Sequence, residues 1–104
     1  MSYFAYDRMG AAIQRPDESK MRELLGSVSA NDPEHPDVSL NSEDGWALSY
    51  GSSHTIILQN VETGAGPWHM KEISIEQALT LWNLLALGQV SALQKNSWVS
   101  GYGS

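Results

Sequence analysis

The chain has no cysteine among its 104 residues. Disulfide staples, thiolate metal sites and cysteine nucleophiles are therefore excluded. Small secreted domains are the ones that most need staples, so the composition leans toward a reducing compartment. Basic residues are also scarce: 6 Lys+Arg against 12 Asp+Glu give a formal net charge of −6. Non-specific DNA or RNA binding needs cations against phosphate, and so does an anionic membrane surface. Neither nucleic acid nor membrane is an expected partner. Long hydrophobic runs are missing too. The most apolar stretch, Ala78–Leu87, is interrupted by Thr80 and Asn83 and is too short to span a bilayer. The opening MSYFAYDRMG lacks a basic region followed by an apolar one, so no signal peptide is read there and a cytoplasmic location is expected.

What is present is ordinary globular material with a lopsided charge. The apolar fraction is 41% and the charged fraction 17%, enough for one modest core and a single domain over residues 1–104. Residues 1–15 and 97–104 are candidate flexible ends. After Arg22 the next lysine or arginine is Lys71, while Glu23, Asp32, Glu34, Asp37, Glu43, Asp44 and Glu62 lie between them. Four tryptophans and four tyrosines supply large rings for a core or for an aromatic surface.

Periodicity sets the expected elements. Ser2–Tyr6 suits a short strand. Pro16 and Asp17 open a helix whose Met21, Leu24, Leu25 and Val28 form one stripe at i, i+3, i+4 and i+7, with Gly26 weakening or ending it. Asn31–Pro36 reads as loop. Val38 and Leu40, then Trp46, Leu48 and Tyr50, alternate with polar or small residues at period two. Thr55–Val61 is the strongest strand, and Trp68–Ile73 supplies a fourth. Ser74 with Gln77 forms a capping box that starts a helix running to Leu87, where Gly88 stops it. Val90–Lys95 adds one or two helical turns. The expected fold is α+β: an antiparallel sheet of about four strands, helices packed on one face, and a long C-terminal helix.

Candidates for chemistry are few. His35 lies in a proline-flanked loop beside Glu34 and Asp37, where a shared cation is conceivable, but a solvated loop outweighs that reading. His54 reads as a turn residue. His69 alternates with Trp68 and Met70 and is expected to face solvent or a partner. No serine has a nucleophile-elbow context, and Gly64–Gly66 is too short for a phosphate loop. Glu43 and Asp44 could act as an acid/base pair, but adjacent residues at a strand entrance diverge. No catalysis by the chain alone, no cofactor and no metal are expected. Trp82 belongs to the core. Trp46 and Trp68 favour packing, and Trp98 and Tyr102 in the tail are recognition groups if exposed.

The segments EHPDVSLNSEDGWALSY and WHMKEISIEQALTLWNLLALGQVSAL, with the closing W..GYG, give the stretch Met21–Gly103 a resemblance. It resembles small bacterial immunity proteins encoded beside polymorphic or contact-dependent toxins. The resemblance implies a toxin-neutralising protein with no catalytic residues. Many such toxins are nucleases or other enzymes with basic surfaces, which an acidic inhibitor complements. The expected partner-binding residues are Asp32, Glu34, Asp37, Glu43 and Asp44, with Trp68, His69 and Tyr102. The alternatives are a small acidic interaction or regulatory subunit with no toxin partner, and an enzyme using His35, His69 and nearby carboxylates.

Overall fold

A computed structural model describes residues 2–28, 37–51 and 53–101. Among the described residues seven strands form one antiparallel sheet. They are β1 (Tyr3–Tyr6), β2 (Ala12–Gln14), β3 (Asp37–Ser42), β4 (Trp46–Gly51), β5 (Ile56–Asn60), β6 (Trp68–Met70) and β7 (Val99–Ser100). Their spatial order is β2-β1-β3-β4-β5-β6-β7. Three helices accompany them among the described residues: α1 (Glu18–Ser27), α2 (Ile75–Ala86) and α3 (Val90–Gln94).

The expected sheet of about four strands is thus corrected to seven, and the long C-terminal helix to a 12-residue α2 followed by a 5-residue α3 and a strand. Each correction has a local cause. Asp7 closes the β1–β2 hairpin, accepting from Met9 N and Ala11 N at 2.9 Å each, while Gly10 supplies a φ of +82°. β2 and β1 therefore add to the edge of β3, in a stretch expected to be a flexible end. At the other edge, Gly101 N donates to Pro67 O at 2.9 Å and pins β7 to β6. α2 ends where Gly88 adopts a φ of +74°. Gly88 N bonds Leu85 O and Gln89 N bonds Leu84 O, the Schellman arrangement that closes a helix and redirects the chain.

Sheet register sorts the side chains by face. Ile13, Ala5, Leu40, Leu48, Leu58 and Trp68 lie opposite one another in one row, and Val38, Tyr50, Ile56 and Met70 in the next. Both rows face the helices. Against them α1 packs Met21, Leu24, Leu25 and Val28, and α2 packs Ala78, Leu79, Leu81, Trp82 and Leu85. α1 continues through Gly26 to Ser27 because its stripe is buried. Asp17 caps α1 by accepting from Lys20 N at 2.8 Å, and the capping box of α2 is closed by Ser74 and Gln77. Arg22 and Glu76 form an exposed ion pair between the helices. The opposite face carries the row Ala12, Tyr6, Ser39, Ser49, Ile57, His69 and Val99, which no described helix covers.

Two polar ends are satisfied inside this core. Trp82, fully buried, donates its indole N–H to Leu48 O at 3.1 Å, and the Tyr50 hydroxyl donates to Ile73 O at 2.6 Å. Burial also pushes the Tyr50 phenol above its ordinary pKa. Truncating Trp82 to alanine removes a large ring and leaves a cavity, a loss of about 3–5 kcal/mol. Trp82→Phe keeps most of the volume but drops the bond, so about 1 kcal/mol of its loss belongs to the hydrogen bond. Urea unfolding of both variants checks the two values. A Trp82→Ala loss below about 1 kcal/mol would contradict this packing.

Candidate partner-binding site

One corner of the sheet gathers the charge. The β3–β4 turn (Ser42–Trp46) and the β5–β6 loop (Asn60–Trp68) leave the same end of the sheet, because Trp46 pairs with Asn60. Asn60 is 4% exposed and its amide ties the two together. Its Nδ2 donates to Asp44 O at 3.2 Å, and its Oδ1 accepts from Glu62 N at 2.9 Å and Thr63 N at 3.0 Å. Val61 N donates to Gly45 O at 2.9 Å, completing the clamp. Ser42 Oγ donates to the Asp44 carboxylate and accepts from Trp46 N. Gly45 is required: its φ is +95°, and a Cβ there would lie 2.7 Å from Asn60 Oδ1 and 2.8 Å from Glu62 Cγ.

The clamp ties the backbone of Asp44 to that of Glu62, and Glu43 precedes Asp44 in the same turn; all three side chains are exposed. Among the described residues none of the three is in an ion pair. Next to them, on the helix-facing side, the Trp46 and Trp68 rings stack with centroids 6.5 Å apart and planes 25° from parallel. Both rings are half-buried. Trp68 then lines a cavity of about 280 Å³ with Leu58, Gln94, Asn96 and Trp98. Carboxylates and indoles thus lie on the two connections at one end of the sheet. Among the described residues no group of three or more histidines or carboxylates could hold a metal ion.

The expected site residues scatter. Glu43, Asp44 and Trp68 meet at this corner. Asp37 starts β3 at its far end, opposite Gly51, about 17 Å from Ser42 by strand rise. Asp32, Glu34 and Tyr102 lie outside the described residues, as does His35. His69, expected to face solvent or a partner, is largely covered within the chain. It is 9% exposed, with Nδ1 2.8 Å from Gly101 O, because β7 folds over it. Glu62 belongs to the corner although only the run of acids hinted at it. The signal was Asn60 followed by Glu62 and Thr63, the spacing of an asparagine turn. No described helix is long and apolar enough to cross a membrane. No family model matches the chain, and no curated protein or solved structure matches it.

Asn60→Ala removes three hydrogen bonds and should cost roughly 1–3 kcal/mol. Gly45→Ala should cost a similar roughly 1–3 kcal/mol through its backbone strain. Thermal or urea unfolding checks both, and a neutral outcome for both would dissolve the clamp. Asp37 carries a separate pH effect. Desolvation raises its carboxyl pKa although the side chain remains exposed. A raised folded value means that the charged form opposes folding above that value and that the opposition vanishes as pH falls below the ordinary carboxylate range. Asp37→Asn should therefore stabilise the protein at neutral pH, and its advantage should fade on acidification. Unfolding at pH 7 and pH 3 measures the difference, which should be larger at the higher pH.

Proposed function

We propose that this chain is a cytoplasmic inhibitor of the immunity type, which binds a basic bacterial toxin domain and covers its working surface. The observation that carries the reading is the corner itself. Glu43, Asp44 and Glu62, which form no ion pair among the described residues, lie on the two clamped connections beside the Trp46–Trp68 stack. No described side chain neutralises these carboxylates, so a cationic partner meets them uncompensated. Complementary fields accelerate encounter, and aromatic anchors slow release. The resemblance of the sequence to immunity proteins supports the same reading independently of the geometry. On this reading the protein needs no catalytic group. A toxin that handles nucleic acid presents the basic surface this corner complements, and the inhibitor's carboxylates stand where phosphates would lie.

The test is binding kinetics against the protein encoded beside this one, at two ionic strengths. The triple variant Glu43→Gln, Asp44→Asn, Glu62→Gln should slow association about ten-fold or more at low salt and flatten its salt dependence. Asp37→Asn, at the other end of β3, should change association far less. A triple variant that associates as fast as the parent at both ionic strengths would make the corner ordinary solvated surface.

A further inference from the structure

We propose that the sheet face turned away from the helices docks a second copy of this chain, giving a two-fold dimer. The inference does not rest on the partner-binding reading, because it uses the other side of the sheet. The Trp46 and Trp68 rings pack on the helix-facing side, so the dimer leaves their stack uncovered.

The face is almost free of charge. The chain has 6 Lys+Arg and 12 Asp+Glu, and all but Asp37 fall outside the described strands. Asp37 stands at the first position of β3, at one end of the face, and Lys71 follows β6 at the same end. Away from that end lie Phe4, Tyr6, Ser39, Ala47, Ser49 and Ile57, on the side that no described helix covers. Solvated sheet faces and edges are ordinarily kept soluble and apart by charge. The centre of a protein interface has the opposite composition, with charge depleted and aromatic residues enriched. Phe4 and Tyr6 supply the rings. They meet edge to face with centroids 5.3 Å apart, and Tyr6 is 41% exposed. Ser39, Ala47 and Ser49 keep the middle of the face low, so a second sheet can pack on it.

Charge selects a second copy as the occupant. In a two-fold interface a patch meets itself, so any charge near the axis faces its own sign. An uncharged patch is its own complement. Two chains of net charge −6 repel one another elsewhere and meet here without opposed acids. A basic partner gains nothing from a face without a central carboxylate. Area agrees with a dimer of modest strength. Seven strands spaced about 4.8 Å apart and about four residues long give roughly 450 Å² of flat face, so two copies bury on the order of 1,000 Å² once side-chain relief is counted. That is the lower end for specific complexes, and the dimer forms at high protein concentration.

Sedimentation velocity of the full chain from about 10 µM to about 1 mM should show a reversible monomer–dimer equilibrium. Added salt should tighten it, because screening removes the repulsion between like-charged copies. Contacts made through the acidic corner would weaken with salt instead. Ser49 lies on β4, the middle strand of seven, close to the axis of two overlapping faces. Ser49→Arg and Ser49→Glu should each stay monomeric over the whole range while keeping the parent's near-UV circular dichroism. Mixed one to one, the two variants should associate again, an outcome that a folding defect does not produce. Tyr6→Ala, which truncates an exposed ring, should raise the dissociation constant about five-fold or more. Thr80→Arg, the same kind of change on the exposed side of α2, should leave the constant within about two-fold. If a Ser49 variant loses the parent spectrum, Tyr6→Ala decides. A parent chain that is monomeric at about 1 mM would overturn the proposal, whatever else covers the face. So would a Ser49→Arg variant that still dimerises, which would place the interface elsewhere, or folded Ser49 variants that do not pair on mixing.

Discussion

The bond from the Trp82 indole to the Leu48 carbonyl fixes the rest of the molecule. Leu48 lies on β4, the middle strand of seven, and Trp82 lies in the middle of α2. This directional contact inside a mostly apolar layer sets both the height and the rotation of the helix over the sheet. The hydrophobic term alone would tolerate several rotations of α2, because it counts area and not direction. Tyr50 adds a second fixed point on the same strand by bonding Ile73 O, immediately before the helix cap. The helix therefore starts, and crosses the sheet, where β4 dictates. α1 then packs along α2, and the Arg22–Glu76 pair is a consequence of that placement more than a cause, being exposed and worth little on its own.

Parts of this were legible in the residues. Trp46, Leu48 and Tyr50 alternate cleanly because one face of β4 is covered, and the capping box of α2 is written in adjacent letters. What escaped is short or depends on distant partners. β2 is three residues long with Ala12 and Gln14 exposed, so burial leaves almost no period in its sequence. β7 has two residues, both exposed, and exists because β6 offers a free edge and Pro67 O an acceptor. The position of His69 escaped for the same reason. Alternation correctly puts it on the face opposite Trp68 and Met70, but a strand arriving 30 residues later covers it. Trp98 looked like part of a loose tail, yet its N–H reaches back to Leu93 O and turns it into a cavity wall.

The acidic stretch was legible as a charge and misleading as a surface. A run of acids in sequence becomes one face only if the chain does not extend. Here β3 is extended, so Asp37 and Asp44 are carried to opposite ends of the sheet, while Glu62, distant in sequence, is brought beside Asp44. Antiparallel pairing joins consecutive turns at alternate ends. The β3–β4 and β5–β6 connections therefore share an end. Any polar residue at the last position of β5 faces the turn before β4. Asn60 uses that position fully, spending its amide nitrogen on one turn and its amide oxygen on the other.

The core and the proposed recognition corner depend on the same register. The pairing that puts Trp46 opposite Asn60 also puts Leu48 opposite Leu58 and Leu58 opposite Trp68. A shift by one residue would turn the buried row outward and lose the core. It would also separate Trp46 from Trp68 and release Glu62 from Asp44. The corner thus borrows its rigidity from the core, through strands that are held in place for other reasons. On the reading proposed above, turns whose backbone is fixed in this way lose little further freedom when the corner meets a partner, which favours affinity over a small area.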